Sequence, residues 1–284
     1  MATQTIIPNK KNLDKKISAL IKDGSAKLHL LADFDRTLTR AFVRGRSVPA
    51  LVAILRNHDY LGPEYSRQAF LLYNKYQSIG ENKKISFRKK SSAMRQWWTL
   101  HYALLKKSGL TKSIMVRAMR SQHAQLRTGA KQLLKTLNDK TIPLVIVSSA
   151  GLGQESIEIM LRHNRCRYKN ITIISNQLRW DRSGRFVGVK SPIIHALNKD
   201  GRQLKKIRAF EKIKGRHNII LLGNNPYDIS MSAGFKFKNI IKIGFFNEKK
   251  TWLKEFRRLY DIIIPNDGSM KTVNQLLKSI NASK

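Results

Sequence analysis

Asp33 and Asp35 stand one residue apart at the end of an apolar run, in "LLADFDRTLTR" (30–40). A carboxylate at the end of a buried strand is costly to desolvate, so its placement there points to chemistry. By the period-two rule both acids point the same way, with Asp35 at the edge of the following loop. One can attack a phosphorus atom and carry the phosphoryl group as an aspartyl-phosphate. The other can protonate the leaving oxygen and later activate water. Two more apolar runs end in complementary residues: "IPLVIV" runs into Ser148, Ser149, Ala150 and Gly151, and "HNIILL" into Gly223, Asn224 and Asn225, with Asp228 five residues past the glycine. Ser149 and the nearby Ala150 amide can hold phosphate oxygens, Thr37 can close the turn or join them, and a lysine can balance the equatorial charge. A hard cation held by carboxylate and carbonyl oxygens would neutralise the phosphate, which points to Mg²⁺.

These groups meet only if the three strands are parallel neighbours. Helical spacing marks 13–23, 129–139 and 153–163, while short apolar runs at 27–34, 142–149, 170–176, 217–223, 239–245 and 260–265 read as buried strands. Alternation of this kind predicts an α/β fold, a Rossmann-like parallel sheet with helices on both faces. Ligands of such sheets bind beyond the carboxyl ends of the strands, where the polar groups lie. Between 40 and 128 the alternation stops and helix-like text takes over, as in "EYSRQAFLLYNKY" and "SSAMRQWWTLHYALLKK". The expected organisation is a core of 1–39 and 129–284 with an inserted helical cap at 40–128.

Composition removes several classes of function. One cysteine, Cys166, rules out an internal disulfide and a cysteine-based zinc cluster, and suits a reducing compartment. His58, His101, His123, His163, His195 and His217 are scattered singly, without metal-like spacing. No apolar run approaches the roughly 18 residues of a membrane helix, and "MATQTIIPNKKNLDKK" lacks the apolar core of a secretory signal, so a soluble, cytoplasmic monomer is expected. The charge is unusual: 55 Lys and Arg against 18 Asp and Glu give +37, and Asn82 to Asn138 holds 14 basic residues and no acid. Such a field attracts phosphorylated metabolites and allows non-specific association with nucleic acid. No RNP signature, zinc finger or basic zipper accompanies it.

In order and kind, "DFDRTLT", Ser149, a lysine and the acidic loop after "IILLG" resemble the haloacid dehalogenase (HAD-like) phosphohydrolases. More closely, "ADFDRTLTR", "MRQWWT", "LRTGAKQLLKTL", "IPLVIVSSAGLG", "NIILLGNNPYDISMSAG" and "YDIIIPND" resemble the cytosolic pyrimidine 5′-nucleotidase family, which includes enzymes acting on 7-methylguanosine monophosphate. The resemblance implies a HAD-like Rossmannoid core with a helical cap, Mg²⁺ dependence and hydrolysis of nucleoside 5′-monophosphates. It implies Asp33 as nucleophile, Asp35 as general acid and base, Ser149 on the phosphate, and Lys199, 25 residues before Asn224, as the lysine of the motif. Lys190 is a second basic candidate. Metal ligands would be Asp33, Asp35, Asn224 and Asp228. Asn224 departs from the family, which places an aspartate directly after the glycine, and one charge beside the cation is lost. Gln96 departs as well, standing where the resembling enzymes carry a glutamate before the tryptophan pair. Gln96 and Trp97 are the expected base contacts; adjacent side chains on a helix cannot both face one ligand, so one of Trp97 and Trp98 belongs to the core.

Two other functions fit the same sequence. One is a catalytically impaired HAD-like scaffold whose basic surface binds nucleic acid or a partner. The other is a HAD-like phosphatase of a non-nucleotide phosphomonoester.

Overall fold

A computed structural model describes residues 4–201, 211, 213–247 and 252–282. Its centre is a six-stranded sheet of β1 (Leu28–Ala32), β4 (Leu144–Val147), β5 (Ile171–Ile174), β8 (Asn218–Gly223), β9 (Asn239–Phe246) and β10 (Ile262–Pro265). The strand order is β10-β9-β8-β1-β4-β5, with every pairing parallel. Runs such as "LHLLA" and "LVIV" are buried at every position, as a sheet covered on both faces requires. Alternate side chains feed two cores: Leu28, Leu30 and Ala32 of β1 join one, and Leu31 joins the other.

The first core is closed by α1 (Lys10–Asp23), α6 (Ala130–Asp139), α7 (Gly153–His163) and the C-terminal α9 (Lys271–Ala282), which contribute Leu20, Leu134, Met160 and Leu277. The second is closed partly by α8 (Leu253–Leu259) through Phe256. In α6 the buried Ala130, Leu133, Leu134 and Leu137 recur at three- and four-residue steps, the stripe of a helix lying on a sheet.

Between β1 and α6 lie a small hairpin, β2 (Phe42–Val43) with β3 (Arg46–Ser47), and four helices: α2 (Ala53–Asn57), α3 (Pro63–Glu81), α4 (Phe87–Lys107) and α5 (Lys112–Met119). The chain leaves and re-enters the sheet layer side by side. The Arg40 amide donates to Gln125 O at 3.1 Å, and the Arg127 amide to Leu38 O at 2.8 Å. A second hairpin, β6 (Leu178–Trp180) with β7 (Phe186–Val189), packs on α4, anchored by the buried Leu178 and Phe186. Its strands, of three and four residues, are too short for alternation to reveal them in the sequence.

The six strands expected from the sequence are all present, most with trimmed ends. Pairing in β1 stops at Ala32 because the chain turns at once: Phe34 O accepts the amides of Thr37, Leu38 and Thr39 at 3.3, 2.9 and 3.1 Å. Asp35 therefore lies on the loop, and the strand rule does not set its direction. No helix of the described residues is long and apolar enough to cross a membrane.

Candidate active site

Register builds the floor of the site. Ala32 pairs with Ile146 on one side and Leu222 on the other, so Asp33 emerges between the ends of β4 and β8, and its amide donates to Leu222 O at 3.0 Å. The Asp33 side chain is buried. Its Oδ2 accepts from the Thr37 hydroxyl at 3.2 Å, and its Oδ1 accepts from the Lys199 ammonium. Lys199, itself buried, also donates to Asp228 Oδ1 at 3.2 Å. The other oxygen of Asp228 accepts the amides of Asn224 and Asn225 at 2.9 and 3.0 Å. Gly223 makes this approach possible: a Cβ there would lie 2.7 Å from that of Asp228 and 2.8 Å from the Tyr260 hydroxyl. Tyr260 in turn donates to Asn225 O at 2.7 Å, bracing the loop.

Burial pushes the Asp33 carboxyl up to about 7, with Lys199 pulling it down and Asp228 pushing it further up. For Lys199, burial acts against the charged form, but Asp228 and Asp33 outweigh it and hold the ammonium above the ordinary lysine range. Asp35, half-buried, is pushed up to about 6 by desolvation, opposed by the Leu51 amide that donates to its Oδ1 at 2.8 Å. One carboxyl held against a cation and a second poised near neutrality are what a nucleophile and a general acid require.

The loop that carries Asp35 is strained and clamped. Arg36 adopts φ 60°, a left-handed conformation uncommon for a side-chain-bearing residue. Its amide donates to Thr39 Oγ1 at 2.7 Å. Arg127, with its side chain fully buried, donates to Thr37 O and Gly268 O at 2.7 Å each and to Arg36 O, and pairs with Asp267 at 2.9 Å. Sequence reading did not single out Arg127. Among 55 basic residues its identity carries no signal; only burial distinguishes it.

At the end of β4, Ser149 is half-buried and its hydroxyl has no hydrogen-bond partner among the described residues. The Ala150 amide, expected on the phosphate, donates instead to Ser148 Oγ at 3.1 Å. Asn224 lines the adjoining cavity. Among the described residues no three His, Cys, Asp or Glu side chains are grouped to hold a metal ion. Asp33, like Asp228, has both oxygens engaged by protein donors, so a cation held by Asp33, Asp35 and the Asn224 carbonyl would share Asp33 with Lys199 and Thr37. Two carboxylates plus neutral oxygens fit a cation that keeps several waters, the habit of Mg²⁺.

Beside the floor is a cavity of about 250 Å³, lined by Arg36, Asn224 and Asn247 from the core and by Tyr73, Tyr76, Glu81 and Trp97 from α3 and α4. At 100° per residue the tryptophan pair divides, as expected. Trp98 is buried against Gly151 and Tyr102, whereas Trp97 faces the cavity and stacks on Tyr76 with ring centroids 6.3 Å apart and planes 8° apart. The indole N–H of Trp97 is buried without a partner, a donor placed for an acceptor on a ligand. Gln96, the other expected base contact, is exposed and does not line the cavity. The acid that does is Glu81, at the end of α3, where its Oε1 accepts from Gln77 at 2.6 Å. Lys190 is exposed and stands on a different cavity, which it shares with Lys199.

Several known proteins share this arrangement of chain. The human 7-methylguanosine phosphate-specific 5′-nucleotidase is 32% identical over 266 residues, covering 93% of this chain and 88% of its own. A form from Xenopus laevis is 32% identical over 95% of this chain and 93% of its own. Among solved structures, cytosolic 5′-nucleotidase IIIB bound to cytidine superposes with a TM-score of 0.87 at 23% identity, over 98% of this chain and 94% of the other. Substrate-bound phosphoserine phosphatase follows at 0.53 and 18%, over 87% and 96%, and shares the fold alone. With the pyrimidine 5′-nucleotidase (UMPH-1) model matching residues 36–281, the chain belongs to that family of phosphoric monoester hydrolases.

Proposed function

We propose that the protein is a Mg²⁺-dependent 5′-nucleotidase that hydrolyses nucleoside 5′-monophosphates through a phosphorylated Asp33. The observation that carries this reading is the buried Asp33–Lys199–Asp228 cluster opening beside an aromatic cavity that ends in Glu81. The substrate base lies against Trp97, with the Glu81 carboxylate and the Trp97 N–H available to its edge. The phosphate sits against Ser149 and Lys199, with Thr37 keeping Asp33 oriented.

Asp33 Oδ attacks phosphorus in line, and the bond to the nucleoside 5′ oxygen breaks as that oxygen takes the proton of Asp35. Water, deprotonated by the now ionised Asp35, attacks the same phosphorus; the Asp33–phosphate bond breaks, releasing inorganic phosphate and restoring both carboxyls. Lys199 balances charge on the equatorial oxygens throughout. A bound divalent cation, held by Asp33, Asp35 and Asn224, supplies the neutralisation that lets a carboxylate approach a phosphate dianion. We take 40–128 as the cap over this floor, and a cytoplasmic monomer as the working form.

A second reading, an impaired scaffold that binds nucleic acid, draws on Asn224 and on the charge of +37. Phosphate release from a panel of nucleotides with and without Mg²⁺, in the parent, Asp33→Asn and Asn224→Asp, separates the two. Mg²⁺-dependent release by the parent, abolished in Asp33→Asn, establishes the enzyme. Activity present only in Asn224→Asp, with salt-sensitive RNA binding by the parent, establishes the scaffold.

A further inference from the structure

Beyond the carboxyl ends of β4 and β5 a second cavity, of about 780 Å³, takes in Lys199 but not Asp33, Asp35 or Ser149. Val147, Ile173 and Ile174 give it an apolar wall. Two of its polar lining residues, Ser175 and His195, are 6% and 1% exposed, and the Ser175 hydroxyl and His195 Nε2 have no hydrogen-bond partner among the described residues. The tautomer of His195 follows from its other nitrogen: Nδ1 accepts the Leu197 amide at 3.3 Å, so the neutral ring carries its proton on Nε2. Burial and the charge of Arg95 hold this imidazole down at about 4, and it meets a ligand as a neutral donor. Buried polar atoms are rarely left unpaired unless a ligand or water completes them.

The cavity rim adds charge. Arg95 of α4 and Lys190, just past β7, both line it and are exposed, and neither has a carboxylate partner among the described residues. Asp200 is the single acid in the lining among the described residues. Two cations and a neutral N–H donor against one carboxylate select a ligand rich in acceptor oxygens. The volume is that of a small-molecule site and far exceeds what inorganic phosphate alone would fill.

We propose that this cavity is a second ligand site, distinct from the hydrolytic one, for a phosphate-bearing anion of nucleotide size. Its phosphate is held by Arg95, Lys190 and the His195 Nε2–H, and its apolar portion lies against Ile173 and Ile174. Because Lys199 lines this cavity and also pairs with Asp33 and Asp228, an occupant here touches the residue that clamps Asp33, and occupancy is coupled to the hydrolytic floor. The site does not depend on Asp33 being a nucleophile, so it can stand or fall separately from the hydrolytic reading.

The test uses the full chain carrying Asp33→Asn, which leaves a nucleotide unconsumed. Calorimetric titration with cytidine 5′-monophosphate should give two sites per chain. Adding Arg95→Glu, a reversal at an exposed helical position that the fold tolerates, should weaken one of them at least about tenfold and leave the other unchanged. Ser175→Leu, which fills the cavity, should remove the same site. A single nucleotide site indifferent to Arg95→Glu overturns the proposal, as does a second site that takes inorganic phosphate and excludes the nucleotide.

Discussion

The floor of the candidate active site and its helical wall are built by different means. On the floor, strand register fixes Asp33 between β4 and β8, and Lys199 locks it to Asp228 in a buried cluster whose members depend on one another. Along the wall, single side chains of α3 and α4 face a cavity because 3.6-residue periodicity turns them that way. The wall residues depend on one another far less. Damage to the floor should therefore be severe and non-additive, while damage to the wall should be graded.

Asp33→Asn is the largest expected loss. Without a nucleophile, kcat should fall on the order of 10⁴-fold or more, with the fold intact and nucleotide still bound. Steady-state phosphate release together with equilibrium binding checks both halves. A loss confined to KM would place Asp33 with the wall residues and erase the contrast.

Next is Lys199→Met. Removing the shared cation leaves Asp33 and Asp228 facing each other in a buried site, a change that costs about 3–5 kcal/mol where one partner of a buried pair is deleted. Urea denaturation of metal-free protein should show a loss of that size, and kcat should fall about 10²- to 10³-fold. Combining it with Asp33→Asn should cost less stability than the sum of the two single changes, since the neutral amide no longer carries the orphaned charge.

How much of this was legible in the sequence follows the same division. Three floor residues could be read because they follow apolar runs, Asp33 after "LLA", Ser149 after "LVIVS" and Asp228 just past "IILLG", whereas Lys199 follows none and is implied by the resemblance alone. Strand ends are one-dimensional landmarks, and a parallel sheet brings them together without further information. Glu81 could not be read that way. It closes a helix, and its position beside Trp97 depends on how α3 packs on α4, which periodicity does not give. Gln96 is expected on the base because it stands where the resembling enzymes carry a glutamate before the tryptophan pair, yet on a helix neighbours turn 100° apart, and it faces solvent. Arg127 escaped notice because its work is done largely through backbone carbonyls more than 85 residues away.

Acid should separate the floor carboxyls from the buried histidines by sign. His29 and His195 are held at about 4 and His101 at about 3, all by burial, so the folded state keeps them neutral where the unfolded chain, near 6.5, takes up protons. Their contribution is present above 6.5 and is lost as pH falls, by up to about 1.4 kcal/mol per pH unit for each group. Asp33 and Asp35 are raised to about 7 and 6, so between those values and 3.8 the folded state binds protons that the unfolded chain does not. They therefore add stability as pH falls. Three groups against two leave a net loss of about 1.4 kcal/mol per pH unit between roughly pH 6 and 4.5 in metal-free protein. Saturating Mg²⁺, by keeping Asp33 ionised, removes part of their opposition and should make the slope steeper. A slope indifferent to Mg²⁺ would mean that Asp33 is not where the cation binds.

The smallest effect tests the wall residue by residue. Glu81→Gln keeps the size and the hydrogen-bonding capacity of the side chain and removes only its charge. KM for a substrate whose base carries a positive charge should rise about tenfold, and KM for a neutral pyrimidine nucleotide should change much less. Gln96→Glu, which restores the acid beside the tryptophan pair, should change neither, because position 96 points into solvent. Trp97→Ala should weaken every nucleotide by about 1–3 kcal/mol regardless of base, since stacking is indifferent to the pattern of donors and acceptors. The two acids are thus set against each other by where the helices place them. If Gln96→Glu sharpened the preference for a charged base and Glu81→Gln left it unchanged, α3 would have to give up its place at the cavity to α4, and the wall would need rebuilding around residue 96.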